Sequence, residues 1–163
     1  MIRYVTGDAT DPMRPVGQHA IVAHIANDQG AWGAGFVLAI SRKWPEPERC
    51  YRDLFRNRRV LGDVQFCHTM GDVNGEATVA NMIAQHGFPS KDRPCAVDFR
   101  ALEECLCKVA TAAVDEYQAS VHMPRIGCGI GGATWDQIEP IIERTLCAHG
   151  VEVTVYDLPK GIQ

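Results

Sequence analysis

Four glycines fall within the six residues Gly127–Gly132, directly after the strand-like segment 120–123 and shortly before Thr134, which has the side chain of a helix N-cap. Residues without a Cβ leave the backbone free to turn its N–H groups toward a bound anion, and a following helix adds the positive end of its dipole. This stretch therefore predicts a phosphate-binding loop that works through main chain. An ordinary glycine-rich turn between a strand and a helix is the structural alternative.

A second loop of the same kind follows segment 20–26, which is apolar except for His24. Such a segment is typical of a central strand covered on both faces, so its carboxyl end should face a crevice. There the chain places Asn27 and Asp28, and then a glycine-rich bend that leads into a helix from Phe36. The succession of strand, polar turn, glycines and helix thus occurs twice.

Other polar side chains come directly after predicted strands. Asp8 follows strand 2–5, and Gln85 and His86 follow strand 77–84. Each has a structural alternative, because Asp8 can close an Asx turn on its own backbone and a histidine at such a place is more often a structural hydrogen-bonding group. Since ligands of open α/β sheets bind at the carboxyl ends of the strands, we expect these segments to surround one crevice.

The elements that position these loops follow from hydrophobic periodicity. Alternation predicts the outer strands, and apolar spacings of three and four predict amphipathic helices after the N-caps Asp98 and Thr134. The glycines, aspartate and asparagine of residues 71–75 are typical of a hairpin turn, which we predict there. Pro140 predicts either a distorted first turn or a helix that begins at Pro140.

The predicted order is β-β-α-α-β-β-α-β-α-β. It indicates an α/β fold, a three-layer α-β-α sandwich around a mixed central sheet. At 163 residues the chain is long enough for one substantial core, so we expect a single domain over residues 1–163 and a monomer.

Composition excludes several classes of function. A formal net charge of −4 argues against a general nucleic-acid binder. The seven cysteines form no Cys-x-x-Cys pair and no secretory leader precedes them, so free thiols in the cytoplasm are expected. The histidines have no metal-ligand spacing, so we expect no metal. No apolar run approaches the roughly 20 residues of a membrane span, so we expect no membrane partner.

Taken together, these segments resemble the macrodomain family of ADP-ribose-binding modules. The glycine-rich loop after residue 123 and the C-terminal segment 153–156 are most similar to the branch that contains the terminal ADP-ribose–protein glycohydrolase. Segment 30–35 is also similar to ADP-ribose-1″-phosphate phosphatases. The stretches that carry the resemblance cover nearly the whole chain: Gly7-Asp8-Ala9-Thr10, Ala23-His24, Gly33-Ala34-Gly35, Pro124-Arg125-Ile126-Gly127-Cys128-Gly129 and Val153-Thr154-Val155-Tyr156. The resemblance implies ADP-ribose as the ligand, without a further cofactor.

The resemblance also implies a role for each part of the site. Asp8 would contact adenine, the two glycine-rich loops would enclose the diphosphate, and Asn27 would lie by the distal ribose. Tyr156 and Leu158 would line the adenosine end. The full implied binding set is Asp8, Ala9, Asn27, Gly33, Ala34, Gly35, Phe36, Arg125, Gly127, Cys128, Gly129, Ile130, Gly131, Gly132, Tyr156 and Leu158.

The sequence departs from the glycohydrolase pattern at two positions. Where that branch has a lysine and an aspartate, this chain has Gln85 or His86, and Gly131. A lysyl covalent route is therefore disfavoured. The expected chemistry is water attack at the anomeric carbon, with Asn27, Asp28 or His86 near the distal ribose. The expected substrates are proteins that carry mono-ADP-ribose on acidic side chains, and nucleic acid only if it is itself ADP-ribosylated.

Other functions stay open. The missing lysine and aspartate favour a module that reads ADP-ribose without cleaving it, and a phosphatase is a further alternative. The pattern Gly127-x-Gly129-x-x-Gly132 also fits a dinucleotide-binding fingerprint, but only one strand follows it. Cys128 precedes a helix N-terminus, which can activate a thiol, although a packing role is the expectation.

Overall fold

The computed structural model describes residues 1–55, 60–70 and 76–161 of the chain. Its elements follow the predicted order. They are β1 (Ile2–Thr6), β2 (Ala20–Asn27), α1 (Phe36–Lys43), α2 (Glu46–Phe55), β3 (Val64–His68), β4 (Ala77–Gln85), α3 (Phe99–Thr111), β5 (Ser120–Pro124), α4 (Trp135–Thr145) and β6 (Val153–Asp157).

The strands form one six-stranded sheet in the order β1-β6-β5-β2-β4-β3. All neighbours are parallel except β3, which runs antiparallel to β4. The predicted mixed sheet is confirmed. Because the other five strands point the same way, the loops after β1, β2, β4, β5 and β6 emerge at one edge of the sheet.

Helices cover both faces of this sheet. On one face α3 and α4 pack over a core that includes Ile21 and Ala23 of β2, and on the other α1 and α2 pack over Val22 and Ala26 of the same strand. Strand β2 is thus buried on both sides, as its apolar run predicts. The three-layer α-β-α architecture is confirmed.

The N-caps of α3 and α4 are the residues that the sequence predicts, and the start of α4 excludes one of the two predictions made for Pro140. Asp98 caps α3 by accepting a hydrogen bond from the Ala101 N–H at 2.9 Å. The Thr134 N–H donates to Gln137 Oε1 at 3.0 Å, within a capping box that starts α4 at Trp135. Pro140 therefore lies inside α4, and the alternative in which the helix begins at Pro140 is wrong. The capping box stabilises the first turn ahead of the proline.

Two further expectations concern helix length and the hairpin. The periodic segment after Asp98 ends as a wide π-helical turn, Ala112–Glu116, that continues α3. The turn predicted at residues 71–75 lies outside the described residues. No helix in the described part of the chain is both long and apolar enough to cross a membrane.

Candidate functional site

A cavity of about 440 Å³ opens at the carboxyl edge of the sheet, between the two glycine-rich loops. It is formed by the end of β2 with residues 31 and 33–37, by Gln85 at the end of β4 with Phe88, and by residues 124–127 and 129–131 at and after the end of β5. Several residues from the binding set implied by the sequence line it: Asn27, Gly33, Ala34, Gly35, Phe36, Arg125, Gly127, Gly129, Ile130 and Gly131. The expected meeting of separate loops at one crevice holds for these segments.

Both loops present main-chain N–H groups that make no hydrogen bond to any described residue. In the first loop these belong to Gly33, Ala34, Gly35 and Phe36, and in the second to Gly129, Ile130 and Gly131. Phe36 begins α1, so the positive end of that helix dipole faces the same space. Unpaired N–H groups from two loops around one cavity are the arrangement that binds a phosphate group.

Glycine is required at several positions of the second loop, and two of them, Gly127 and Gly131, line the cavity. Gly127 has φ +75°, and a Cβ there would approach Val97 at 3.2 Å and Ile25 at 3.3 Å. A Cβ on Gly131 would lie 2.8 Å from Val97 and 2.9 Å from the Gly127 carbonyl oxygen. The loop has no room for a side chain at Gly131, so an aspartate in that position would force the backbone to move.

Asn27 lies at the end of β2, where the pairing with β4 shifts register. Its Oδ1 accepts hydrogen bonds from the N–H groups of Gln29 at 3.0 Å and Ala31 at 3.1 Å. The Tyr51 hydroxyl donates to the Asn27 backbone carbonyl at 2.6 Å and lies 3.0 Å from Oδ1. Nδ2 of Asn27 donates to the Ala31 carbonyl at 2.7 Å. The side chain is 8% exposed and organises the first loop, with one Nδ2 hydrogen left for a ligand.

Asp28 and His86 form a pair, and each directly follows a residue that lines the cavity, Asn27 and Gln85. Oδ2 of Asp28 lies 2.6 Å from Nδ1 of His86, and Oδ1 accepts the Gly87 N–H at 2.9 Å. Burial raises the pKa of the Asp28 carboxyl, but the hydrogen bonds from His86 and Gly87 outweigh it and the pKa is lowered overall. Neither side chain lines the cavity, although Gln85 and Phe88, on either side of His86 in sequence, both do.

The other residues implied by the resemblance lie outside the cavity lining. Asp8 is exposed, and its Oδ1 accepts hydrogen bonds from the Thr10 N–H and hydroxyl, both at 2.8 Å, which makes the Asx turn considered above. Tyr156 is 3% exposed and its hydroxyl accepts the Met13 N–H at 2.7 Å. The remaining members are Ala9, Cys128, Gly132 and Leu158. Their roles in binding stay predictions.

Arg125 and Cys128 have environments that limit their chemistry. Arg125 lines the cavity, but its guanidinium is held by both carboxylate oxygens of Asp157, at 2.6 and 2.9 Å, and lies over the rings of Tyr4 and Trp135. Burial raises the pKa of the Cys128 thiol, and the nearby Arg125 only partly opposes this. The thiol is thus not activated, which argues against cysteine catalysis.

The sequence analysis did not place His24 in the site. It is 2% exposed, lies on β2 and lines the cavity. The available signal was a single polar residue within the apolar run 20–26. Gln85, which holds the Gly87 carbonyl through Nε2 at 2.8 Å, also lines the cavity.

Fold and cavity together define an α/β module with unpaired main-chain N–H groups around a cavity at one edge of the sheet. Among solved structures, a macrodomain protein from Streptomyces coelicolor superimposes with a TM-score of 0.79 and 44% identity, covering 96% of this chain and 99% of that one. No protein-family model matches the sequence. This likeness along the full length shows that the chain belongs to the macrodomain family.

Curated relatives extend the comparison. The mouse chromodomain-helicase-DNA-binding protein 1-like is 32% identical over 98% of this chain, which spans only 18% of that protein's length. A DNA ADP-ribosyl glycohydrolase from Thermus aquaticus is 26% identical over 96% of the chain and 41% of the relative. An ADP-ribose 1″-phosphate phosphatase from Lodderomyces elongisporus is 23% identical over 88% of the chain and 91% of the relative.

Proposed function

We propose that this macrodomain binds ADP-ribose in the cavity and hydrolyses ADP-ribosyl linkages, with mono-ADP-ribose esters of Glu and Asp side chains as the preferred substrates. The observation that carries the proposal is the set of unpaired N–H groups on both loops around the cavity. Relatives named as a glycohydrolase of ADP-ribosylated DNA and as an ADP-ribose 1″-phosphate phosphatase support hydrolysis as the reaction class.

The charges around the cavity favour a ligand held by main chain. Arg125 is the only lysine or arginine among the lining residues, and its guanidinium is already paired with Asp157. A diphosphate would therefore be neutralised by peptide dipoles and the α1 N-terminus rather than by ion pairs. The expected affinity is micromolar, about −8 kcal/mol.

The Asp28–His86 pair is the candidate proton acceptor. Asp28 orients the imidazole through Nδ1, so Nε2 is left to accept a proton, and the His86 side chain is 59% exposed. In the proposed step, a water oxygen bonds to the anomeric carbon while His86 takes a proton from that water. The bond from the anomeric carbon to the ester oxygen breaks, and its electron pair leaves with the carboxylate.

An acyl ester is the linkage that this site can cleave with one general base and no general acid for the leaving group. A carboxylate is a stable leaving group and needs no protonation, so one base and a fixed substrate suffice. The second loop has no side chain at Gly131, and Gln85 has no titratable proton. Linkages with poor leaving groups, such as those to serine or arginine, would be cleaved far more slowly.

The test is release of free ADP-ribose from a protein mono-ADP-ribosylated on glutamate, followed by mass spectrometry, with serine-linked substrate as the control. Release from the glutamate-linked substrate well above buffer supports the hydrolase. Tight ADP-ribose binding without release would leave a reader module. Release of inorganic phosphate from ADP-ribose 1″-phosphate, without ester cleavage, would favour the phosphatase alternative.

A further inference from the structure

Two cysteines from different elements meet beneath α2, on the face of the sheet opposite α3. Cys50 lies on α2 and Cys67 on β3, and their side chains are close enough to hydrogen-bond to each other. Cys67 is 3% exposed, whereas Cys50 is half-buried and is the more accessible of the two. The proposed hydrolysis uses neither thiol.

Hydrogen bonds from β3 and β4 hold α2 over this pair. Gln65, two residues before Cys67 and therefore on the same face of β3, donates through Nε2 to the Cys50 carbonyl at 2.9 Å. Asn81 of β4 donates through Nδ2 to the Pro47 carbonyl at 3.1 Å, and the same nitrogen lies 3.7 Å from the Cys67 sulfur. The folded chain therefore fixes the backbone positions of the two cysteines relative to each other.

The protonation of Cys67 gives the two thiols different roles. Burial, together with Cys50 and the charge of Glu46, raises the pKa of the Cys67 thiol. Cys67 thus keeps its proton at neutral pH and can donate it toward the Cys50 sulfur. Since the thiolate is the form that attacks an oxidant, and access also favours attack, Cys50 is the thiol that reacts first.

We propose that Cys50 and Cys67 are a modification site at which a hydroperoxide, such as hydrogen peroxide, produces an intramolecular disulfide. In the first step the Cys50 sulfur bonds to one peroxide oxygen and the O–O bond breaks, which gives a sulfenic acid and water. In the second step the Cys67 sulfur bonds to the Cys50 sulfur, the S–O bond breaks, and the hydroxyl group leaves as water with the Cys67 proton. Overall the two thiols lose two electrons and two protons, and hydrogen peroxide is reduced to two water molecules.

The disulfide should form in the native protein without unfolding. Thiols already within hydrogen-bonding distance need only a small approach to reach the S–S bond length of about 2.05 Å. The bond joins α2 to β3 and encloses residues 51–66 in a covalent loop, which restricts the unfolded chain more than the native one. The inference is independent of the proposed function, because no ligand takes part.

Controlled oxidation of the purified protein tests the site. After treatment with a small excess of hydrogen peroxide and alkylation of the remaining thiols, peptide mass spectrometry should show a Cys50–Cys67 disulfide that dithiothreitol reverses. Cys50→Ser should not form it. Cys107→Ser should form it normally, and it is the matched control because Cys107 is exposed and lies on α3. Oxidation of other cysteines with Cys50 and Cys67 still reduced, or a sulfinic acid at Cys50 without a disulfide, would overturn the inference.

Thermal denaturation distinguishes pairing in the native fold from pairing after local unfolding. The melting temperature of the oxidised protein should be roughly 5 °C or more above that of the reduced protein, and Cys50→Ser should show no rise after the same treatment. An unchanged or lower melting temperature of the disulfide form would mean that the two thiols do not meet in the native geometry, and the inference would then be wrong.

Discussion

Nδ1 of His86 lies 2.6 Å from Oδ2 of Asp28, joining the loop after β4 to the loop after β2. The Gly87 N–H holds the other oxygen of the same carboxylate at 2.9 Å. The carboxylate is thereby fixed from two sides, while the imidazole stays exposed to the solvent. A base held in one orientation beside a substrate cavity is the relationship on which the proposed hydrolysis depends.

Replacing His86 by Ala should lower the rate of ester hydrolysis by about 10²-fold or more, the usual contribution of a general base, with ADP-ribose affinity nearly unchanged. Asp28→Asn should lower the rate less, because the imidazole loses orientation but remains. Single-turnover assays and calorimetry on both variants measure the two quantities. Full activity of His86→Ala would remove the pair from the reaction.

Glycines in the two loops allow a direct test of the binding site. A Cβ added at Gly33 or Gly129 meets nothing within 4 Å, so Gly33→Val and Gly129→Val should fold normally while placing methyl groups beside the unpaired N–H groups. We expect ADP-ribose affinity to fall at least ten-fold, about 1.4 kcal/mol, in each. Calorimetry and thermal denaturation of the same preparations separate binding from folding.

Gly131→Ala is the matched contrast, because its Cβ would lie 2.8 Å from Val97 and 2.9 Å from a backbone carbonyl. This variant should lose thermal stability as well as affinity. Unchanged affinity in both valine variants would place the diphosphate elsewhere.

Asn27→Ala should destabilise the protein by about 2–3 kcal/mol, because several hydrogen bonds of a buried amide are lost together. The first loop should loosen, so ADP-ribose affinity and hydrolysis rate should fall together. Urea denaturation with binding and rate assays measures all three. A lower rate with intact stability and affinity would instead assign Asn27 a direct part in the chemistry.

Asp8→Ala should weaken ADP-ribose binding by roughly 1–3 kcal/mol more than it weakens ribose-5-phosphate binding, if Asp8 makes the predicted charge-assisted hydrogen bond to adenine. Asp8→Asn is the control, since its amide oxygen can still accept the Thr10 N–H that Asp8 holds at 2.8 Å. Calorimetry with both ligands checks this. Equal losses for the two ligands would show that Asp8 serves only its turn.

Two buried histidines predict how stability depends on pH. Burial lowers the pKa of His24 and of His122 to about 4, against an ordinary value of 6.5. Between these values the unfolded chain binds more protons than the native one, so the free energy of unfolding should fall as pH is lowered from 6.5 toward 4. Each histidine contributes up to about 1.4 kcal/mol per pH unit in that window.

Urea denaturation at about pH 7 and about pH 5 measures this dependence. Asp28 does not affect this comparison, because its carboxyl pKa is lowered from the ordinary value of 3.8. The stability that it contributes is present above that value and is lost only as pH falls through the lower pKa of the folded state. Equal unfolding free energies at the two pH values would show that neither histidine is neutral and buried.

Local signals in the sequence predicted most of the architecture. The glycine-rich loops after β2 and β5, the buried run of β2 and the caps Asp98 and Thr134 were all recognisable, because conformational freedom, hydrophobic period and capping depend on neighbours in the chain. The start of α4 was ambiguous, since a proline and an N-cap give opposing signals within a few residues and the capping box prevailed.

Only the tertiary structure decided what each side chain is free to do. The buried ring of His24 is hydrogen-bonded to Asn81 on the neighbouring strand β4, and Gly131 is kept without a side chain by Val97, which precedes α3. Asn27 uses most of its hydrogen-bonding capacity on its own loop and Tyr51 of α2. The sequence by itself determined the loops and their anion-binding backbone, because these properties are local. The partner of His24, the lack of space at Gly131 and the partners of Asn27 depend on residues that only folding brings within hydrogen-bonding or van der Waals distance.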